Sequence, residues 1–331
     1  MIESAVKSRQ RPRVAWTREH LTRERSLALG QAIDTSTWKN YGSALNSYLS
    51  FVRMHNFPIE PTPDTLSFFT VYMCHHINPS SVDTYLSGIC QQLEPYFPSV
   101  REARKSMLCK RTLIGCKRLR GVPTKRKRAL SMDDLRHVVA HYSNSRSHDD
   151  LLFVSQLLTG FFALMRLGEL VVPDDSSILD HRKITSRTSV SLSNSDYHFF
   201  LPSHKADKFF EGNTIIIQHH NTTVDPLLHF KAYLSSRDHL FPFSPDLWLR
   251  ADGSCPSRSF FIQRLKLFFN ADIAGQSMRA GGATSLAEKG VPPHLIQAAG
   301  RWASLAFQIY IRKNPVLLQA LLFGRAAHDS P

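Results

Sequence analysis

Residues 121 to 128 read Gly-Val-Pro-Thr-Lys-Arg-Lys-Arg. Two chain breakers followed by four consecutive cations mark a linker, and no other stretch constrains the fold as strongly. At 331 residues the chain exceeds the usual size of one domain, so two domains are expected, divided here. Residues 1–34 carry Arg9, Arg11, Arg13, Arg18, Arg23 and Arg25 and read as a basic flexible arm. Residues 35–120 then form one domain, 121–129 the basic linker and 130–331 the second domain.

The first domain reads as all-helical. Thr35 or Ser36 caps a helix whose apolar positions Trp38, Tyr41, Leu45, Tyr48, Leu49 and Val52 recur at three- and four-residue spacing, ended by Asn56-Phe57-Pro58. Pro63 opens a second helix to His76, with Asp64 at its positive end. Pro79-Ser80-Ser81 opens a third, which ends by Pro95, and a fourth runs from Val100 to Arg120.

Beyond the linker, Ser131 caps a helix with Asp133 and Asp134 in its first turn. A long apolar helix follows from Asp149 to Met165. The period then changes. Thr188–Leu192, Tyr197–Leu201 and Thr214–Gln218 read as short strands, separated by Asn194-Ser195-Asp196 and Glu211-Gly212-Asn213. From Asp225 onward the pattern is helical again. The whole is a mostly helical α+β protein with one small sheet.

A net charge of +14 points to a polyanionic partner, because basic residues gain affinity by releasing counterions from phosphates. The charge is clustered: Arg101 to Arg128 holds twelve basic residues against one acid, Glu102. Lys117, Arg118, Arg120, Lys125, Arg126, Lys127 and Arg128 are accordingly assigned to binding a nucleic acid, which the resemblance drawn below makes DNA. Lys125–Arg128 also fits a nuclear import signal, which places the protein in the nucleus of a eukaryotic cell and in the cytoplasm otherwise. No apolar run approaches the roughly 20 residues of a membrane helix, and no membrane partner is expected. The five cysteines lack a CxxC pair, which argues against a disulfide framework or a zinc finger. The pairs His75-His76 and His219-His220 are weak metal signals, so neither metal nor cofactor is expected.

Arg166 stands alone in the apolar stretch Phe162–Leu170, and a guanidinium buried without a partner is expensive. Two readings stay open: an ion pair with Glu169 three residues on, or an arginine aimed at a phosphate with Glu169 holding it. Lys205 and Lys208 lie between two expected strands, at the tip of a hairpin. Arg279 follows Gln276-Ser277-Met278 and precedes Ala280-Gly281-Gly282-Ala283, small residues that let its helix pack closely. Trp302 and Tyr310 sit on a last aromatic stretch with Phe307, where core packing is the ordinary role.

Taken in order, Arg166, Lys205, the Gln276-Ser277-Met278-Arg279 box, Trp302 and Tyr310 resemble the tyrosine recombinases, phage integrases and their mobile-element relatives. The look is nearest to recombinases of eukaryotic mobile elements, with Gly300-Arg301-Trp302 and Ser304 preceding Tyr310-Ile311-Arg312. The resemblance covers residues 35–323 and implies a helical core-binding domain followed by a catalytic domain with a small antiparallel sheet. It implies site-specific cleavage and rejoining of double-stranded DNA by a homo-oligomer assembled on DNA, for recombination or integration. Arg166 and Arg279 would grip the scissile phosphate, and Tyr310 would attack it to form a 3′-phosphotyrosyl bond. Lys205 would protonate the leaving 5′-oxygen, with Lys208 the alternative, and Trp302 would donate a hydrogen bond from its indole.

Gln276 departs from the family, which has histidine there. Glutamine hydrogen-bonds but does not shuttle a proton at neutral pH, so deprotonation of Tyr310 falls to water or the arginines. The alternative is a domesticated recombinase-fold protein that binds DNA and is catalytically inactive. A type IB topoisomerase shares the tyrosine chemistry, but the domain layout and the basic linker look more like an integrase. The apolar helix expected over Pro315–Phe323 packs either on its own domain or on a neighbouring protomer.

Overall fold

The computed structural model describes residues 13–123, 126–205, 207 and 209–302. The chain divides into two compact units, between Thr124 and Lys125.

Among its described residues the first unit has six helices: α1 Arg18–Gln31, α2 Thr35–Met54, α3 Pro63–Met73, α4 Pro79–Leu93, α5 Val100–Lys105 and α6 Met107–Arg120. Each start has a local cause. Asp34, Thr62 and Asn78 accept backbone N–H bonds at the N-termini of α2, α3 and α4, and Pro63 and Pro79 occupy first-turn positions where no N–H is needed. α2 packs on α4 and α3 on α6, around Tyr48, Phe51, Leu66, Phe69, Leu86 and Ile89.

Two details of this unit go beyond what its sequence suggests. The region read as a flexible arm contains α1, capped by Thr17 with Glu19 in its first turn; it buries no residue. Arg, Glu, Leu and Ala are good helix formers, which is enough for a local helix without a packed face. The single helix expected over Val100–Arg120 is two, because Ser106 leaves helical geometry (φ −52°, ψ 151°) and accepts from the Cys109 N–H. A serine side chain competes for backbone donors and starts a new helix where packing favours the bend.

The second unit is built on α8, His148–Phe162, buried along almost its whole length. α7, Met132–Tyr142, packs on it, and its capping box joins Ser131 and Asp134 reciprocally. Three antiparallel strands follow in the order β1 Ser191–Leu192, β2 Asp196–Leu201 and β3 Asn213–Gln218. In β2 and β3, Tyr197 pairs with Ile217 and Phe199 with Ile215, so the alternation turns Tyr197, Phe199, Leu201, Ile215 and Ile217 inward. The Tyr197 ring stacks on Phe230, and its hydroxyl meets Thr159 of α8 at 2.8 Å. The first strand is shorter than its sequence suggests: Arg187–Ser189 is a 3-10 turn closed on Pro245.

Among the described residues the further helices are α9 Pro226–Leu240, α10 Arg258–Leu265, α11 Gln276–Glu288 and α12 Pro293–Ala299. α9 and α11 both pack on α8. The fold is therefore mostly helical with one small antiparallel sheet, as the periodicity indicates. Among the described residues, no helix is long and apolar enough to cross a membrane.

Candidate active site

The site begins where α8 stops. Ala163 ends the helix, and Leu164 takes a left-handed conformation (φ 51°), unusual for a bulky side chain. Such a turn costs on the order of 1–3 kcal/mol and persists where the surrounding packing over-determines it. Here that packing is α11. At Gly281 an added Cβ collides with the Leu130 carbonyl oxygen, and at Gly282 with that of Phe161. These two glycines let α11 lie directly on the end of α8, as the run of small residues anticipates.

That contact carries Arg279 to the turn. Its side chain is almost wholly buried; Nη1 donates to the Leu164 carbonyl at 3.0 Å and Nη2 to the Gly300 carbonyl. The guanidinium carbon lies 4.2 Å from the centre of the Trp302 ring, a cation–π contact. Gly300 makes room for that ring: a Cβ there would overlap it. Arg279 and Trp302 are thus neighbours, although 23 positions separate them in sequence.

Two residues beyond Leu164, Arg166 opens the 3-10 turn Leu167–Glu169. Its Nη1 donates to Glu169 Oε1 at 2.9 Å and its backbone N–H to Oε2 at 3.0 Å, so the expected ion pair forms. The Arg166 side chain keeps 28 % of its surface in solvent while that of Glu169 keeps 5 %. The two readings left open by sequence are therefore compatible: the carboxylate anchors one edge of the guanidinium and another edge faces out. Gln276 is the exposed first residue of α11, one turn before Arg279. Gly275 beside it sits so close to Leu167 that a Cβ would approach that side chain to 2.5 Å, which seats the start of α11 on the Arg166 turn.

Lys205 is exposed on the β2–β3 connection and takes no part in the bonds above. Asp207 shapes that connection by accepting from the backbone N–H groups of Phe209, Glu211 and Gly212. These bonds hold its carboxyl below the usual range. Lys208, Lys125, Tyr310 and Pro315–Phe323 lie outside the described residues.

Sequence reasoning missed Arg301. It too is left-handed (φ 55°), and its Nη2 reaches Glu169 Oε2 at 3.1 Å. Burial pushes its guanidinium below its ordinary pKa while Glu169 acts in the opposite direction. The signal was available: a lone arginine between Gly300 and Trp302 raises the same burial argument that singled out Arg166.

The basic block divides into two kinds of cation. Lys117 pairs with Asp83 at 2.9 Å, Arg104 with the same carboxylate at 3.0 Å, and Arg120 meets His75 at 2.8 Å. Lys127 donates to the Ala271 carbonyl, and Arg128 pairs with both Asp134 and Asp272. The Arg128 and Leu130 N–H groups donate to the Asp272 and Ser277 carbonyls, so residues 127–130 are structural support for the segment leading into α11. Lys110, Arg111 and Arg118 are exposed on α6. The histidine pair at 219–220 is also structural: His219 bonds Asp225, the cap of α9, and His220 stacks on Phe162.

No family model and no curated protein matches this sequence. Solved structures do. The XerH site-specific recombinase bound to palindromic difH substrate aligns with a TM-score of 0.58 at 15 % identity, over 86 % of this chain and 78 % of that one. A lambda integrase dimer bound to a COC′ core site aligns with a TM-score of 0.55 at 15 % identity, over 90 % and 96 %. The fold is that of the tyrosine recombinases. The Tn1549 transposon integrase in complex with transposon right end DNA aligns with a TM-score of 0.50 at 12 % identity, over 81 % and 94 %. At these identities the likeness to tyrosine recombinases is one of fold.

Proposed function

We propose that this chain cleaves and rejoins DNA at specific sites through a 3′-phosphotyrosine intermediate. The observation that carries the reading is the convergence of Arg166, Arg279 and Trp302 on one strained turn, within a tyrosine-recombinase fold. Guanidiniums oppose the charge that develops on a phosphoryl group in its pentacoordinate state: Arg166 offers its outward edge, and Arg279 would exchange a backbone carbonyl for a phosphate oxygen. Tyr310 is the nucleophile: its oxygen bonds to phosphorus, its proton leaves to water, and the bond to the 5′-oxygen breaks. Lys205 supplies the proton to that oxygen, with Lys208 the alternative donor. The phosphotyrosine conserves the ester bond energy, so rejoining is the reverse attack by a 5′-hydroxyl.

On this reading double-stranded DNA is the partner, and several copies of the chain assemble on it. Exposed cations on α6 supply sequence-independent affinity. In a eukaryotic cell the protein works in the nucleus. Gln276 favours a second reading, a DNA-binding protein that has lost the chemistry, because it is an exposed amide where a titrating group would be useful.

A nicked suicide substrate decides between the two. The wild-type chain forms a covalent adduct that survives denaturant and disappears with protease, while Tyr310→Phe forms none and retains DNA affinity. An adduct formed by Tyr310→Phe refutes the assignment of the nucleophile. No adduct with wild type on any substrate supports the binding-protein reading.

A further inference from the structure

Glu169 holds an unusual position among the charges of the site. Its carboxylate, 5 % exposed, accepts from Arg166 Nη1, from the Arg166 backbone N–H and from Arg301 Nη2. Arg166 and Glu169 alone would be a neutral pair. A neutral pair attracts a phosphate poorly, because the carboxylate cancels the field that the guanidinium offers. With Arg301 included, two guanidiniums share one carboxylate, and the group carries one net positive charge.

Arg301 occupies its place at a local disadvantage on three counts. Its backbone is left-handed, a conformation that suits glycine and not arginine. Its side chain is 9 % exposed, which penalises the charge. Its Nε is buried without a hydrogen-bond partner among the described residues. Its other contacts are long: Nη1 lies 3.4 Å from the Ala163 carbonyl and 3.3 Å from that of Ala299. A residue this poorly suited to its backbone and its surroundings invites a functional explanation.

We infer that Arg301 is a positioning residue that neutralises Glu169, so that Glu169 can orient Arg166 without cancelling its charge toward a phosphate. The inference rests on the proposed reading of Arg166 as a phosphate clamp and goes beyond it. It makes Glu169 a shared orienting group between two arginines, only one of which reaches the phosphate. It also explains how the Gly300-Arg301-Trp302 segment contributes twice: Trp302 braces Arg279, and Arg301 frees Arg166.

The test is a double-mutant cycle in the full chain with two readouts. The first is the rate of covalent adduct formation on a nicked duplex. The second is the affinity for inorganic phosphate, read from the phosphate dependence of the thermal midpoint, which needs no cleavage. Arg301→Gly should slow adduct formation on the order of tenfold or more and weaken phosphate binding several-fold. Its thermal midpoint without phosphate should change little, because relief of the left-handed strain offsets loss of the ion pair with Glu169. Adding Glu169→Gln removes the charge that Arg301 balances, so Arg301→Gly/Glu169→Gln should recover part of both losses. Arg301→Lys, which retains the charge, should lose less than Arg301→Gly. A double variant no better than Arg301→Gly in phosphate binding, or Arg301→Gly equal to wild type, overturns the inference. If wild type forms no adduct but the phosphate cycle behaves as described, the cleavage reading fails and the role of Arg301 stands.

Discussion

Gly282→Ala tests the geometry on which the site depends. The added methyl collides with the Phe161 carbonyl oxygen, comes within 3.1 Å of its carbon and within 2.5 Å of Leu164 Cδ2. A side chain can rotate away from such a clash, but the last turn of a buried helix cannot. Overpacking a core typically costs about 1–3 kcal/mol, and a clash with backbone belongs in the upper half, about 2–3 kcal/mol. For a unit of this size roughly 2–4 °C is lost per kcal/mol, so the midpoint should fall by about 4–12 °C. The same displacement moves Arg279 away from the Leu164 carbonyl. A shift of about 1 Å at a positioning group reduces rate by on the order of a hundredfold, so adduct formation should fall more than stability alone explains. Scanning calorimetry and single-turnover adduct formation below the midpoint measure the two effects. Gly168→Ala is the control: it adjoins Glu169, a Cβ there meets nothing within 4 Å, and its stability should change by less than about 0.5 kcal/mol. A Gly282→Ala protein with wild-type midpoint and rate would refute this packing of α11 on α8.

Three further outcomes are expected. Alanine at Lys110, Arg111 and Arg118 should flatten the dependence of log K on log salt for duplex binding by about 0.9 per lost phosphate contact, whereas Lys127→Ala and Arg128→Ala should chiefly lower the thermal midpoint; titrations at several salt concentrations separate the two groups. Gln276→His should raise the cleavage rate or add a pH dependence near about 6.5, and a loss of activity at every pH would show that the amide is already accommodated. Burial acts to raise the Asp134 carboxyl pKa, but Arg128 and Ser131 outweigh it and hold it below the usual range. A depressed folded pKa contributes stability above the unfolded value of about 3.9 that is lost as pH falls through the folded one, so Arg128→Ala should weaken the acid dependence of the midpoint below about pH 4.

What could be read from sequence was what neighbouring residues decide among themselves. The capping box of Ser131 and Asp134, the prolines opening α3 and α4, the alternation in β2 and β3 and the Arg166–Glu169 pair all act within a few positions. The order of the site residues was visible as well, because it is a property of the string. Other features depended on what lies across the fold. Ser106 is acceptable inside a helix, and only the packing of α5 and α6 turned it into a cap. The partners of the cations were invisible: Lys117 finds Asp83 across 34 positions, Arg128 finds Asp272 across 144, and Arg301 finds Glu169 across 132. A run of like charges therefore looked uniform, although part of it supports the segment before α11. The left-handed turns at Leu164 and Arg301 had no local sign either, since neither side chain prefers that backbone. Tertiary packing of α11 and of the segment after α12 imposes those turns, and that packing brings Arg166, Arg279 and Trp302 to one place.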